Sequence, residues 1–357
     1  MLEIIAPTGE VFPYLDIAKA YLQAGEGALV DDYFLHPNNP QIPVQIEWEY
    51  APKNGEFARK FVVEYATKDD FSDAISVETD GGKRSLGVYD LYKASDYFVR
   101  ITALDGDGNV LEKVQSTFYT TALGPRVINV EGTYNVRDVG GFETLFGKRI
   151  VQGIAYRGGA LVPDTTWGIP TNATETGRRV LDTKLGIRAE LDFRNPKESG
   201  LGEGAGSLLR GVKLTYITSD GYDKIFEAGY AEAYRKVFSY LSDKDNYPLY
   251  CHCTAGADRT GTVVYLLHAL LGVSPLECLQ DYEFTSFSFF GLRGGKKGDN
   301  VERLKKMFTI LDGYPGGNLQ QKTETYLLSI GVTAEEIANI KGIFLGEIAV
   351  ADGGRSR

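Results

Sequence analysis

At 357 residues the chain is too long for one typical hydrophobic core, so two domains are expected. A formal charge of −10 and a pI near 5.0 oppose nucleic-acid binding, which wants a basic face, and oppose general adhesion to anionic lipid. The 43% hydrophobic content is ordinary for a globular protein, and no run of about 18 apolar residues is present to span a membrane.

Residues 1–40 read as an irregular N-terminal segment. Within it Tyr14–Leu22 has the pattern of a short amphipathic helix, and Gly25-Glu26-Gly27 and His36-Pro37-Asn38-Asn39-Pro40 are breaks. Met1–Ala6 lacks the basic start of a signal peptide, so the sequence as it stands reads as cytoplasmic; a signal removed ahead of Leu2 would make the protein secreted or cell-surface. From residue 41 to 124 hydrophobicity alternates with period two, in Val44–Tyr50, Phe61–Tyr65 and Tyr97–Ala103. Lys53-Asn54-Gly55, Asp80-Gly81-Gly82 and Asp105–Asn109 punctuate these runs as turns. The last is rich in carboxylates, but no Glu follows at the EF-hand spacing, so it is read as a hairpin turn and not a calcium loop. Short strands so spaced predict an all-β sandwich. Trp48 on an early strand, the Tyr97-x-Val99-x-Ile101 alternation and a final strand at Phe118–Thr121 resemble a fibronectin type III or similar immunoglobulin-like module, for which a protein or carbohydrate ligand is expected.

Gly124-Pro125 marks the boundary to a second domain, 125–350, followed by a loose tail at 351–357. Arg149–Val151, Gly153–Tyr156, Ile187–Asp192 and Val212–Ile217 read as strands, and Tyr230–Leu241 as a helix. Asn172 with Glu175 predicts a capped helix through Leu185, stopped by Gly186. Strands alternating with helices predict an α/β sheet whose carboxyl-end crevice holds the ligand.

The apolar run Pro248–Cys251 leads into His252-Cys253-Thr254-Ala255-Gly256-Ala257-Asp258-Arg259-Thr260-Gly261, and Thr262–Leu271 continues as a buried helix ending at Gly272. A strand, tight loop and helix N-terminus in that order aim backbone N–H groups and the positive end of the helix dipole at one point, suited to a phosphate dianion. There Cys253 would be a thiolate nucleophile. Arg259 would hold two phosphate oxygens with its planar fork. Thr260 would hydrogen-bond the sulfur, and His252 would orient the cysteine from behind. Thr254, Ala255, Gly256, Ala257 and Gly261 complete the anion-binding turn, where glycine lets the backbone turn sharply or approach the ligand. No metal or cofactor is called for: Cys251-His252-Cys253 has no second Cys or His pair nearby in sequence to complete a zinc site. Cys251 is read as an alternate-facing strand residue, with a protective sulfur bridge to Cys253 as its functional alternative. Three cysteines, Cys251, Cys253 and Cys278, are too few for a disulfide framework. The other histidines, His36 and His268, stand in no hydrolase motif, which opposes a protease or esterase.

The ten-residue loop resembles the HCxxGKDRTG signature of the atypical bacterial cysteine-dependent tyrosine/serine phosphatases, mycobacterial ones among them. Asn135–Gly141 with Tyr156–Leu161 is similar to the N-F-R-D-x-G-G and Y-R-S-x-x-L pair of that family, and Leu191–Glu198 to its D-L-R-x-x-x-E segment. The resemblance runs from about Val127 to about Leu345. It implies a cysteine-phosphatase fold and hydrolysis of phosphomonoesters through a cysteinyl phosphate, with Asp258 as the acid that protonates the leaving oxygen. Asp220 and Asp223, after a predicted strand, are the alternative positions for that acid. Asp138 and Asp192 are expected to hold Arg137 and Arg194 in ion pairs. The family's loop lysine is replaced by Ala257, which opposes highly charged lipid phosphates as substrates.

Downstream, Ser274-Pro275-Leu276-Glu277 and Thr333-Ala334-Glu335-Glu336 predict capped helices. The aromatic stretch Phe284–Phe290 and the glycine-rich basic loop Gly291–Gly298 are read either as a lid or as core packing followed by a solvated connection. Three functions follow: a phosphatase of phosphotyrosine, with phosphoserine and phosphothreonine, proteins; a phosphoinositide or inositol phosphate phosphatase; or a phosphate-binding scaffold with a vestigial site.

Overall fold

The computed structural model describes residues 1–34, 40–52, 55–163 and 171–350; the break at His36–Asn39, the Lys53-Asn54 part of one turn and the tail from 351 lie outside them. The described chain forms two compact units, one of residues 1–15 and 41–123, the other of residues 16–40 and 124–350. The second unit therefore owns a stretch of chain that precedes most of the first.

The first unit holds β1 (Leu2–Ala6), β2 (Gly9–Val11), β3 (Val44–Tyr50), β4 (Lys60–Ala66), β5 (Ile75–Asp80), β6 (Ser85–Val88), β7 (Asp96–Leu104) and β8 (Val110–Thr120). They make a sheet β1-β3-β6 and a sheet β2-β8-β7-β4-β5. The period-two pattern accounts for both faces. Val44, Ile46 and Trp48 from one sheet share a core with Phe61, Val63, Val99, Ile101 and Phe118 from the other, while Gln45 and Glu49 point out. The N-terminal residues are not irregular, contrary to the sequence reading. β1 pairs antiparallel with β3, and β2 pairs parallel with β8. Both strands are too short to show a period by themselves; their partners, more than forty and a hundred residues away, supply the order.

The second unit begins with α1 (Asp16–Ala24), which buries Ala18, Tyr21 and Leu22, and continues with β9 (Arg137–Asp138), β10 (Ala155–Gly158), α2 (Glu175–Arg179), β11 (Ala189–Asp192), β12 (Lys213–Tyr216), α3 (Ala228–Leu241), β13 (Leu249–His252), α4 (Arg259–Leu271), α5 (Pro275–Glu283), α6 (Val301–Asp312), α7 (Leu319–Ser329) and α8 (Ala334–Phe344). The sheet order is β12-β11-β13-β10-β9, parallel throughout except for β9. β13 lies at the centre with every residue buried. Such all-buried parallel strands read as continuous apolar runs rather than alternations.

α4 is buried from Thr260 to Leu271 and ends where Gly272 takes a left-handed φ of 84°. The caps expected at Ser274 and Thr333 form, the latter as a reciprocal box with Glu336. Two local expectations change. The cap of α2 is Thr174, whose side chain accepts from Gly177 N, two residues beyond Asn172, whose backbone N–H donates to Gly132 O; after Arg179 the chain continues to Lys184 as a wider turn. Arg149–Val151 forms no strand of the sheet: Arg149 bridges Glu143, Ile150 exchanges backbone hydrogen bonds with Gly141 and Phe142, and Val151 N donates to Phe344 O.

Candidate active site

The loop from Cys253 to Asp258 leaves the carboxyl end of the central strand β13 and enters α4, so it sits in the crevice where an open parallel sheet places its ligand. Its carbonyls face outward onto named partners. Thr254 O accepts from Ala160 N at 2.9 Å, Ala255 O from Asn135 Nδ2 at 3.1 Å, and Gly256 O from an Arg157 guanidinium nitrogen at 2.7 Å. The amides of Ala255, Gly256, Ala257 and Asp258 donate to no protein acceptor among the described residues. A loop with its carbonyls so committed keeps its N–H groups for an anion on the concave side. Gly256 has a left-handed φ of 64°, and a Cβ there would fall 2.1 Å from Gly158 O, so only glycine lets the loop lie on β10.

The upstream stretches thus act as scaffold. Arg157 and Arg137 are buried and share the carboxylate of Asp281 on α5, at 2.6 and 2.9 Å. Burial would push the Asp281 carboxyl up, but the two guanidinium groups outweigh it and hold it well below the usual carboxylate range. The expected pairing of Arg137 with Asp138 does not occur: Asp138 binds Arg126 at 2.9 Å. Neighbours on a strand face opposite sides, so they cannot pair. Asp192 and Arg194, two apart, do pair, at 2.8 Å.

The Cys253 thiol lies deep in this cradle. Burial opposes its ionisation, but the Arg259 charge and hydrogen bonds from the Thr260 side chain and amide prevail and lower its pKa below the ordinary 9.0. The Thr260 side chain is fully buried beside the cysteine. His252 bonds Glu190 through Nε2 at 2.9 Å and Cys253 O through Nδ1 at 3.1 Å. Burial would discharge the ring, yet Asp192 and Glu190 raise its pKa above 6.5. Cys251 is buried in the core, and its thiol is pushed up to about 12 by burial, so it stays protonated; all three cysteines are free. No group of three or more metal-ligating side chains occurs among the described residues.

The cleft over the loop is lined by Cys253, Thr254, Ala255, Asp258 and Arg259, with Glu198, Ser219, Asp220, Tyr230, Arg293 and Arg303 as its walls. Ala257 is fully buried and adds no charge. Glu198 meets Arg259 as a two-point fork, at 2.6 and 3.0 Å, and so presets the guanidinium plane. Glu198→Gln is expected to raise KM for a phosphomonoester by about tenfold, because one charge-assisted contact is worth roughly 1.5–3 kcal/mol; steady-state kinetics would check this. Of the three carboxylates considered as acid, Asp223 is tied to Arg303 at 3.0 Å and Lys306 at 2.8 Å; burial opposes its ionisation, but these cations outweigh it and hold its pKa below the usual range. Asp220 meets Arg303 at 3.3 Å. Asp258 reaches the cleft from the loop itself.

Glu198, Arg293, Asn135 and Arg157 were not assigned roles from sequence, although each stands in a stretch that had drawn notice. The glycine-rich loop is fastened rather than loose: Asp31 accepts from the amides of Lys296 and Lys297 at 2.7 and 2.8 Å, and Glu283 from Gly295 N at 2.6 Å. Glu283 also accepts from the Tyr21 hydroxyl of α1.

A family model for the tyrosine phosphatase family matches residues 128–346. A protein of Cupriavidus necator described as a candidate tyrosine-protein phosphatase is 31% identical over 170 residues, 42% of this chain; the chain spans 59% of that relative's length. The core catalytic domain of the PP-IP phosphatase SIW14 of S. cerevisiae, solved with citrate, is 16% identical, with a TM-score of 0.29 over 56% of this chain and 88% of that one.

Proposed function

The chain belongs to the tyrosine phosphatase family, and from that premise we propose that it hydrolyses phosphotyrosine in proteins, and phosphoserine or phosphothreonine with it, through a cysteinyl phosphate. The observation that carries the reading is the buried Cys253 sulfur, its pKa lowered by the Arg259 charge, in a cradle of free amides with that guanidinium held flat by Glu198.

In the first step sulfur forms a bond to phosphorus in line as the phosphorus–oxygen bond breaks. The electron pair leaves with the ester oxygen, which takes a proton from Asp258. The loop amides and Arg259 hold the equatorial oxygens. A water oxygen then bonds phosphorus, its proton returns to the Asp258 carboxylate, and the electron pair of the breaking sulfur–phosphorus bond restores the thiolate. Thr260 and His252 stabilise that leaving thiolate.

The cleft favours a monophosphate. Its cations come with carboxylates: Arg259 with Glu198, Arg303 with Asp220 and Asp223, Arg293 with Asp299. Tyr230 offers the phosphoryl site an aromatic neighbour. A second reading, an inositol phosphate or phosphoinositide, is favoured by Arg293 and Arg303 standing on the wall. Intact Cys253, Arg259 and Thr260 oppose a vestigial site. For residues 41–124 the proposal keeps a fibronectin type III-like module with a protein or carbohydrate ligand, supported by two sheets closing on Trp48.

The test is turnover of p-nitrophenyl phosphate, phosphotyrosine peptides, phosphoserine peptides and inositol phosphates, with Cys253→Ser as control. Higher kcat/KM on the tyrosine peptides supports the proposal; preference for inositol phosphates, or no turnover, overturns it. Asp258→Asn is expected to slow phenyl phosphate, a poor leaving group, by about 10²–10⁴-fold and p-nitrophenyl phosphate far less.

A further inference from the structure

The acid carboxyl is not evenly surrounded. Asp258 Oδ1 accepts from the Tyr222 hydroxyl and from Asn300 Nδ2 at 3.1 Å, and Arg293 Nε lies 3.3 Å from the same oxygen. Asp258 Oδ2 has no partner among the described residues, while the side chain lines the cleft with Cys253 and Arg259.

The three groups come from separate places and are themselves secured. Tyr222 is fully buried with a φ of 61°, its amide donating to Thr262 Oγ1 at 3.0 Å and its hydroxyl 2.7 Å from that of Tyr282. Burial and the neighbouring Asp258 both keep the Tyr222 proton in place. Asn300, with a φ of 61°, immediately precedes α6. Arg293 is held by the carbonyls of Phe290 and Leu292 and by Asp299, each at 3.1 Å.

We propose that Tyr222, Asn300 and Arg293 are positioning residues that occupy one oxygen of Asp258 and so make Oδ2 the atom that carries and delivers the proton. The inference rests on Asp258 being the acid. A protonated carboxyl has a single O–H to give. With donors converging on Oδ1, a proton there would face other protons, so it resides on Oδ2, toward the substrate. When the Oδ2–H bond breaks, the proton passes to the leaving oxygen and its electron pair stays on the carboxyl group, whose new charge Oδ1 shares with the two hydrogen-bond donors Tyr222 and Asn300 and with the Arg293 cation beside them. The carboxyl thus needs no rearrangement at the moment of transfer.

The experiment measures kcat/KM on phenyl phosphate and on p-nitrophenyl phosphate for Asn300→Ala, Tyr222→Phe, Asp258→Asn and the double variant Asp258→Asn/Asn300→Ala. Asn300 is at the surface, so its variant tests the proposal even should Tyr222→Phe disturb packing. Loss of one such contact is expected to cost about tenfold on phenyl phosphate and little on p-nitrophenyl phosphate. Because the residue acts through Asp258, the Asn300→Ala effect should vanish in the Asp258→Asn background. Equal losses on both substrates, or an Asn300 effect that persists without the acid, overturns the proposal. Should Asp258→Asn itself fail to discriminate between the substrates, it is the assignment of the acid that falls.

Discussion

Cys253→Ser is expected to abolish turnover, lowering kcat on p-nitrophenyl phosphate by roughly 10⁴-fold or more, since removing the nucleophile removes both chemical steps. The serine hydroxyl is nearly isosteric but gains too little from the cradle to ionise at neutral pH. The argument has a pH signature in the native protein. The surroundings of Cys253 hold its pKa below 9.0, so a thiolate exists at pH values where an ordinary cysteine is still a thiol. Inactivation by iodoacetate should therefore proceed at neutral pH, rise with pH as the thiol titrates, and level off below 9.0. A rise centred at or above 9.0 would show that the cradle does not favour the anion. Cys251 and Cys278, both pushed upward by burial, should remain unlabelled under those conditions, which peptide mapping would establish.

Arg259→Ala should come next in size, with kcat/KM falling by about 10³-fold or more, because the guanidinium meets the charge that develops on the transferring phosphoryl group. Two independent effects are combined in that loss. The fork that Glu198 orients is gone, so the phosphate oxygens lose a bidentate partner. The charge that lowers the Cys253 pKa is gone as well, so the acidic limb of the pH–rate profile should move to higher pH. Arg259→Lys separates the two: a cation near the sulfur restores much of the limb, whereas the planar two-point contact stays lost and KM stays high. A variant whose acidic limb is unmoved would remove Arg259 as the source of the thiolate's stability.

What could be read from the sequence follows from the distance over which each feature is specified. β3, β4 and β7 alternate within themselves, and α5 and α8 carry their caps in four consecutive residues; all lie where the pattern puts them. The loop from Cys253 to Asp258 is equally local, since strand, turn and helix are contiguous. β1 and β2 were missed because five and three residues show no period. The surroundings of Asp258 were missed for a related reason: Tyr222, Arg293 and Asn300 stand on three different stretches that only packing brings together. Ion pairs divide by spacing, with Asp192–Arg194 readable and Arg137–Asp281, 144 positions apart, not.

The carboxylate of Asp31 binds amides 265 and 266 positions later. A ribosome releases that acidic residue long before its partners exist, and the whole stretch from 41 to 123 emerges in between. A fragment cut at Gly124 would start downstream of α1 and Asp31 and leave the amides of Lys296 and Lys297 facing water. Anyone excising the second unit should therefore retain residues 16–34 and bridge from there to 124.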